Sequence, residues 1–324
     1  MNMRESILKF AEEFTWEPRI ENKASLTRKE KTIVAGMGGS PLAADLLNAI
    51  NPALDLIVHK DYDLPLVSLL TRGAWGVITI SYSGNTEETI DAFETAKKEG
   101  MPVAVIAKGG KLLDRAKEEA VPYVQLPSVD IQPRMALGFI IKALAALLGL
   151  EALAKELTSL ADELKPVEFE EPGRALAGRI GDRVPLIYAS TRNRAIVYNW
   201  KIKFNETAKT PAFYNVFPEL NHNEMNALPA GQAGLSSQFY TIILHDPDDH
   251  SRIKKRMEVL AELYRNKEIP VEILDLAGES FLERVFSSLL FADWTALALA
   301  EMNGIDPNDV PTVEAFKKRI TSGV

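Results

Sequence analysis

The sequence predicts an α/β protein made of two tandem open α/β domains, each a mostly parallel sheet flanked by helices. Short apolar runs alternate with helical segments along the chain, which is the spacing of βαβ units and a parallel sheet. KTIVAGMGGSPLAADLL and VPLIYASTRNRAIVYNW repeat one order of strand, polar turn and helix, so the second half restarts the first. The length of 324 residues, 46% of them apolar, is enough for two domains with a core each.

Residues 1–24 form an N-terminal helical segment, an amphipathic surface helix whose Ile7, Leu8 and Phe10 offer apolar contacts. It lacks the continuous apolar core of a signal peptide. The polar link ENKASLTRKEK leads into the first domain, 25–165, which continues with a short apolar strand, a glycine-rich turn and a helix beginning near Ser40. LDLIVHKDY supplies a second strand, and WGVITISYSGNTEETIDAFETAKKEG repeats strand, turn and helix. VAVIAKGG and PYVQLP are further strands. Leu137 to Leu150 is an apolar helix and Glu151 to Leu164 an amphipathic one. KPVEFEEPG, with its prolines, glycine and glutamates, reads as the linker.

The second domain, 166–324, begins with the strand VPLIYAS. TRNRAIVYNWKIKFNETAK follows as a turn and helix, and then a loop carrying His222 between Asn221, Asn223 and Glu224. SSQFYTIILHD and VEILDL are strands separated by the helix SRIKKRMEVLAELYRNK. A long apolar helix, FLERVFSSLLFADWTALALAEMNG, comes next, and Val310, Val313, Phe316 and Ile320 mark a last helical stripe.

Composition excludes several functions. A net charge of −8 argues against nucleic acid or an anionic membrane as the main partner. The absence of cysteine excludes disulfides and thiolate metal sites, and four histidines without paired spacing argue against a dedicated zinc site. No apolar run approaches the ~20 residues that span a bilayer. The expectation is a soluble cytoplasmic protein without a dedicated zinc site.

Two junctions suit an anion. In GMGGS the glycines Gly38 and Gly39 and the small Ser40 sit where a strand meets a helix, so backbone N–H groups and the helix N-terminus can approach a phosphate. SYSGNTEET presents the hydroxyls of Ser81, Ser83 and Thr86 at a second helix start. Two such turns at the carboxyl ends of neighbouring strands make a crevice for a monophosphate dianion. A dinucleotide fingerprint would need a third glycine where Pro41 stands, and a Walker A loop would need GKS or GKT. An ordinary turn with a capped helix is the bland alternative for SYSGNTEET alone.

GMGGS followed by SYSGNTEET resembles the sugar isomerase (SIS) domain, and FNETAK with NVFPELNHNEM narrows the resemblance. The chain resembles, over essentially its whole length, the bifunctional phosphoglucose/phosphomannose isomerase family of tandem SIS domains. The resemblance implies a cofactor-free aldose–ketose isomerase, converting glucose 6-phosphate, and mannose 6-phosphate as well, to fructose 6-phosphate through a cis-enediolate. It makes Glu206 the base that shuttles a proton between C2 and C1, a task suited to a carboxylate enclosed beside Asn205 and Asn221. It gives His222 the opening of the sugar ring, with neighbours that fix its tautomer. It places Arg134 of IQPRMALG beside the enediolate and Lys317 at ring opening, Lys318 being adjacent. It further implies a homodimer in which His222 serves the neighbouring subunit's site. Two positions depart from the pattern: Asn199 stands where Arg is expected, and Thr207 where Asn is more usual.

Two other functions fit the phosphate loops. A non-catalytic sugar-phosphate sensor would keep them without needing Glu206 or His222. An amidotransferring synthase would bring a glutaminase domain and cysteine, and this sequence has neither.

Overall fold

The computed structural model describes residues 1–67, 72–227, 234 and 236–321. It divides into two compact units. The first comprises Met1, Leu8–Pro166 and Gly278–Phe286, and the second Asn2–Ile7, Val167–Ala277 and Ser287 onward.

The first unit carries a six-stranded sheet. Its strands are β1 (Ile20–Glu21), β2 (Lys31–Gly36), β3 (Asp55–His59), β4 (Trp75–Ser81), β5 (Val103–Ala107) and β6 (Tyr123–Gln125). Their order is β1-β6-β5-β4-β2-β3, antiparallel only at β1 against β6. The central strands β2, β4 and β5 are buried almost throughout, which is why they read as unbroken apolar runs rather than alternating ones. The chain leaves β2 for β3 on one side and returns to β4 on the other, so the topological switch point lies between β2 and β4.

The N-terminal segment departs from expectation. α1 (Met3–Leu8) and a 3₁₀ helix (Phe10–Thr15) bury Met3, Ile7, Phe10, Phe14 and Glu13. The segment therefore contributes core, and the Phe10 and Phe14 rings meet edge-on 5.5 Å apart. α2 (Leu42–Ile50), α3 (Glu87–Lys98) and α4 (Gly110–Glu118) follow β2, β4 and β5. α5 (Leu137–Leu148) and α6 (Glu151–Glu163) complete the order.

The second unit carries the wholly parallel sheet β10-β9-β7-β8. Its strands are β7 (Val184–Ser190), β8 (Phe213–Phe217), β9 (Phe239–His245) and β10 (Val271–Asp275). Its helices are α7 (Glu170–Ile180), α8 (Arg194–Glu206), α9 (Ser251–Arg265), the continuation of α10 (Phe281–Met302) and α11 (Pro311–Thr321). The expected linker holds the boundary between the units, at Pro166 and Val167, and folds as a 3₁₀ turn, Pro166–Phe169, running into α7. Pro172 is tolerated there because it falls in the first helical turn, where its missing N–H has no intrahelical partner to lose.

α10 also corrects the reading that no segment reaches membrane length. By length and composition it could cross a bilayer, but 83% of its most apolar window is buried, as in a core helix. α11 does not pack its stripe: Val313, Phe316 and Ile320 are 45%, 63% and 40% exposed.

Candidate active site

The first unit gathers its glycine- and hydroxyl-bearing loops at its switch point. β2 ends at Gly36, where a Cβ would stand 2.7 Å from the Ile80 carbonyl oxygen on β4. Gly38 takes a left-handed φ of 59°, and Gly39 lies so close to Arg134 that a Cβ would sit 2.8 Å from its backbone nitrogen. The buried Ser40 Oγ accepts the Tyr82 N–H at 3.1 Å, tying the first loop to the second. In that second loop Ser81 Oγ accepts the Gly84 N–H at 3.0 Å and shares a hydrogen bond of 2.9 Å with Thr86 Oγ1. Ser83 is exposed, and its hydroxyl accepts the Asn85 N–H at 3.2 Å.

Thr86 occupies the N-cap of α3 but makes no side-chain cap. Its hydroxyl is turned to Ser81, so the amides of the first turn lack that cap and can serve an anion. Gly38, Gly39, Ser40, Ser81, Ser83 and Thr86 are thus brought to one place, with Arg134 against Gly39. Sequence reasoning missed the third loop that supports them. Gly84, at φ 71°, passes so close to Gly109 that a Cβ would fall 1.6 Å from its carbonyl oxygen. The Lys111 N–H donates to Asn85 Oδ1 at 3.2 Å, and Leu112 N–H to the Gly84 carbonyl at 2.9 Å. The signal was present: KGGKLL repeats the strand–glycine–helix junction a third time. Arg134 sits on a 3₁₀ turn, Pro133–Met135, that leads into α5, and it is 1% exposed.

In the second unit Glu206 is the last residue of α8. Its backbone is pinned: Lys209 Nζ donates to the Glu206 carbonyl at 2.7 Å, and the buried Thr207 N–H to Lys203 at 2.9 Å. Asn205 Nδ2 donates to the Thr210 carbonyl at 3.0 Å. The carboxylate-bearing residue is half-buried. Asn221, expected beside it, directs Nδ2 to Met225 Sδ at 3.5 Å and accepts from Arg256 at 3.3 Å.

His222 is exposed on the 3₁₀ turn Glu219–His222 that follows β8. Its neighbours hold the loop: Asn223 donates to Glu219 at 3.0 Å, while Glu224 accepts from Tyr188 Oη at 2.6 Å and Asn215 Nδ2 at 2.5 Å. With about three residues per turn, adjacent side chains of such a helix diverge. Burial first, then the Glu224 charge, raises the Tyr188 phenol well above its ordinary range and keeps it a donor. Lys317 lies exposed on α11 with Nζ 3.2 Å from Glu314 Oε1, a surface pair of little energetic weight. Asn199 turns back on its own helix, donating to the Ala195 carbonyl at 2.9 Å. His250 caps α9, and His245 pairs with Asp275 at 2.6 Å.

Residues 169–320 match the family model of the bacterial phospho-glucose isomerase C-terminal SIS domain. A bifunctional phosphoglucose/phosphomannose isomerase from Aquifex aeolicus is 32% identical over 96% of both chains. One from Thermoplasma volcanium is 34% identical over 93% of this chain and 95% of its own. The chain belongs to the bifunctional phosphoglucose/phosphomannose isomerase family. A Sulfolobus acidocaldarius relative, 29% identical over 90% of this chain and 89% of its own, is named D-glucosamine-6-phosphate 4-epimerase. In fold, a hypothetical protein of Thermus thermophilus aligns with a TM-score of 0.71 at 18% identity, covering 99% of this chain and 86% of that one.

This member of the phosphoglucose/phosphomannose isomerase family has a second switch point, between β7 and β9, with different chemistry. There Asn193 Nδ2 donates to Ser190 Oγ and Asp246 Oδ2, both at 3.1 Å, and Asp249 stands beside them. Asp246 and Asp249 are both buried. These buried carboxylates give the second switch point a more acidic lining than the first, with Arg192 Nη1 3.7 Å from Asp246. Burial raises the Asp249 carboxyl above its ordinary 3.8, the Asp246 charge adds to this, and the Ser190 hydrogen bond and Arg192 offset part of it.

The unfolded chain releases this proton first, so the folded state binds more protons between the two values and stability falls as pH rises through that window. Asp249→Asn is therefore expected to raise Tm at pH 7 by ~2 °C, an advantage that shrinks as pH falls toward 4. Thermal unfolding at several pH values reads it, and a gain that grows in acid would be the wrong sign.

Proposed function

We propose that the chain interconverts glucose 6-phosphate and fructose 6-phosphate, and mannose 6-phosphate and fructose 6-phosphate, without a cofactor. What carries this reading is identity over nearly the whole chain to enzymes so named, in a chain that gathers glycine- and hydroxyl-bearing loops at one switch point. In this proposal the first domain holds the phosphate through Gly38, Gly39, Ser40, Ser81, Ser83 and Thr86. The second domain supplies the proton chemistry.

The sugar ring opens as the O1 hydroxyl proton is removed and the ring oxygen is protonated, steps we give to His222 and Lys317. Glu206 takes the proton from C2 of the aldose, which leaves a cis-enediolate, and returns it to C1 while the hydroxyl proton passes from O2 to O1, which forms the ketose. The Arg134 guanidinium, fixed in a buried place, stabilises the negative charge that develops on the enediolate oxygens. Glucose and mannose 6-phosphates differ only at C2, so rotation about C2–C3 in the open chain lets one carboxylate serve both. A homodimer, with His222 serving the neighbouring subunit's site, accords with the exposure of that histidine. A substrate that carries a phosphate dianion is confined by membranes, which suits a cytoplasmic enzyme.

Turnover of fructose 6-phosphate with EDTA present tests the reading. Glucose and mannose 6-phosphates are expected to appear, with solvent deuterium entering at C2. Binding without turnover would leave a sensor, and loss of activity to the chelator would refute the cofactor-free mechanism. The 4-epimerase relative makes epimerisation of glucosamine 6-phosphate at C4 the control reaction.

A further inference from the structure

Among the described residues of the first unit, Glu13 is the buried carboxylate, 5% exposed, while Glu12 beside it faces solvent. Glutamate is seldom enclosed without a partner that needs it. Its Oε2 accepts the N–H of Gly138 at 2.8 Å and of Phe139 at 3.3 Å, both in the first turn of α5. A carboxylate there satisfies orphan amides and meets the positive end of the helix. The approach is tight: a Cβ on Gly138 would stand 2.7 Å from Glu13 Cβ.

Those amides lie one turn beyond Arg134, whose 3₁₀ turn is closed by the Met135 N–H donating to the Gln132 carbonyl at 2.8 Å. A buried guanidinium cannot shed its charge, so it needs negative charge or acceptors in the same low-dielectric region. Two other buried cations of this unit are met in this way. Lys142 Nζ lies 2.7 Å from Glu17, and Arg284 donates to the carbonyls of Gly278 and Glu279 at 3.5 and 3.4 Å. The Glu13 charge is also felt at Tyr82, whose phenol is raised by burial first and then by Glu13.

We infer that Glu13 is a positioning residue of the isomerisation: by fixing the start of α5 and supplying buried negative charge beside it, it sets where Arg134 presents its donors to the enediolate. This rests on the role proposed above for Arg134. Glu13 touches no substrate in this scheme. It acts through the cation, so its removal should be felt in the transition state more than in the binding of the phosphate.

The test compares Glu13→Gln, which keeps an acceptor oxygen for the amides, with Arg134→Ala and wild type. The Gln variant is expected to lose ~10-fold in kcat on fructose 6-phosphate, with KM within ~2-fold. It should bind a five-carbon aldonate phosphate, whose carboxylate imitates the enediolate oxygens, ~10-fold more weakly, while inorganic phosphate binds as before. A purely structural Glu13 would lower Tm but leave these ratios intact, and that result would overturn the inference. If Arg134→Ala keeps its kcat, the role of Arg134 fails and takes this inference with it. If Arg134→Ala loses ~10²-fold while Glu13→Gln matches wild type, only the inference about Glu13 fails.

Discussion

Glu206→Gln is expected to lower kcat on fructose 6-phosphate at least ~10²-fold while leaving the Kd for the sugar phosphate within ~3-fold of wild type. The substitution keeps the shape of the side chain and removes its capacity to take a proton from carbon. Lys209 and Thr207 hold that end of α8 through the backbone carbonyls of Glu206 and Lys203, contacts that the substitution keeps. The phosphate loops belong to the first unit and contain no atom of Glu206, so binding should persist. Exchange of the C2 proton with solvent should fall by the same factor as kcat, since both need the same transfer. A variant that still exchanges C2 hydrogen at the wild-type rate would assign the base elsewhere. One that loses binding in proportion to kcat would make Glu206 a ligand to the sugar rather than its base.

The parts of this molecule that were legible in the sequence are those set by local pattern. β2, β4 and β5 are central parallel strands, and burial on both faces makes them continuous apolar runs that cannot be confused with surface. The loops after β2 and β4 were readable as strand–helix junctions because glycine, serine and asparagine mark such turns locally. The less legible parts depend on contacts distant in sequence. β8 hides in FYNVF, where Phe213 at the sheet edge is 57% exposed and the alternation of a half-buried strand is blurred. β1 is two residues long and exists by pairing with β6 about a hundred residues on.

Glu13 gave no sign, because a glutamate in FAEEFT reads as solvated until α5 is seen to need it. Glu224 was read as a tuner of His222, yet its partners are Tyr188 and Asn215, reached only through the sheet. KPVEFEEPG carries the boundary between the two units, at Pro166 and Val167, but its helical conformation was not legible. Prolines and acids that mark loops also mark the first turn of a helix, and the sequence KPVEFEEPG does not distinguish the two until α7 continues beyond it.

Lys203→Met is expected to destabilise the protein by ~3–5 kcal/mol, and the double variant Lys203→Met/Asp293→Leu to recover most of that loss. Lys203 Nζ lies 2.7 Å from both carboxylate oxygens of Asp293, with the side chains 3% and 2% exposed. In water such a pair gains little. Here, removing one partner strands a charge in the interior with no solvent to receive it, and that stranded charge, more than the lost attraction, accounts for the penalty. The apolar pair removes the problem, and the surroundings favour it: Trp200, Phe204 and Phe291 already pack together on α8 and α10, with Trp200 Nε1 bonded to Ser288 at 2.9 Å.

Urea unfolding of the two single variants and the double variant measures the coupling. Single losses below ~1 kcal/mol would show that water reaches the pair. The same proteins answer a second question, because Lys203 precedes Glu206 by one helical turn. A double variant with wild-type stability and wild-type kcat would confine the pair to folding. Wild-type stability with reduced kcat and unchanged KM would mean that the ion pair holds the end of α8 in the register from which the carboxylate reaches C1 and C2.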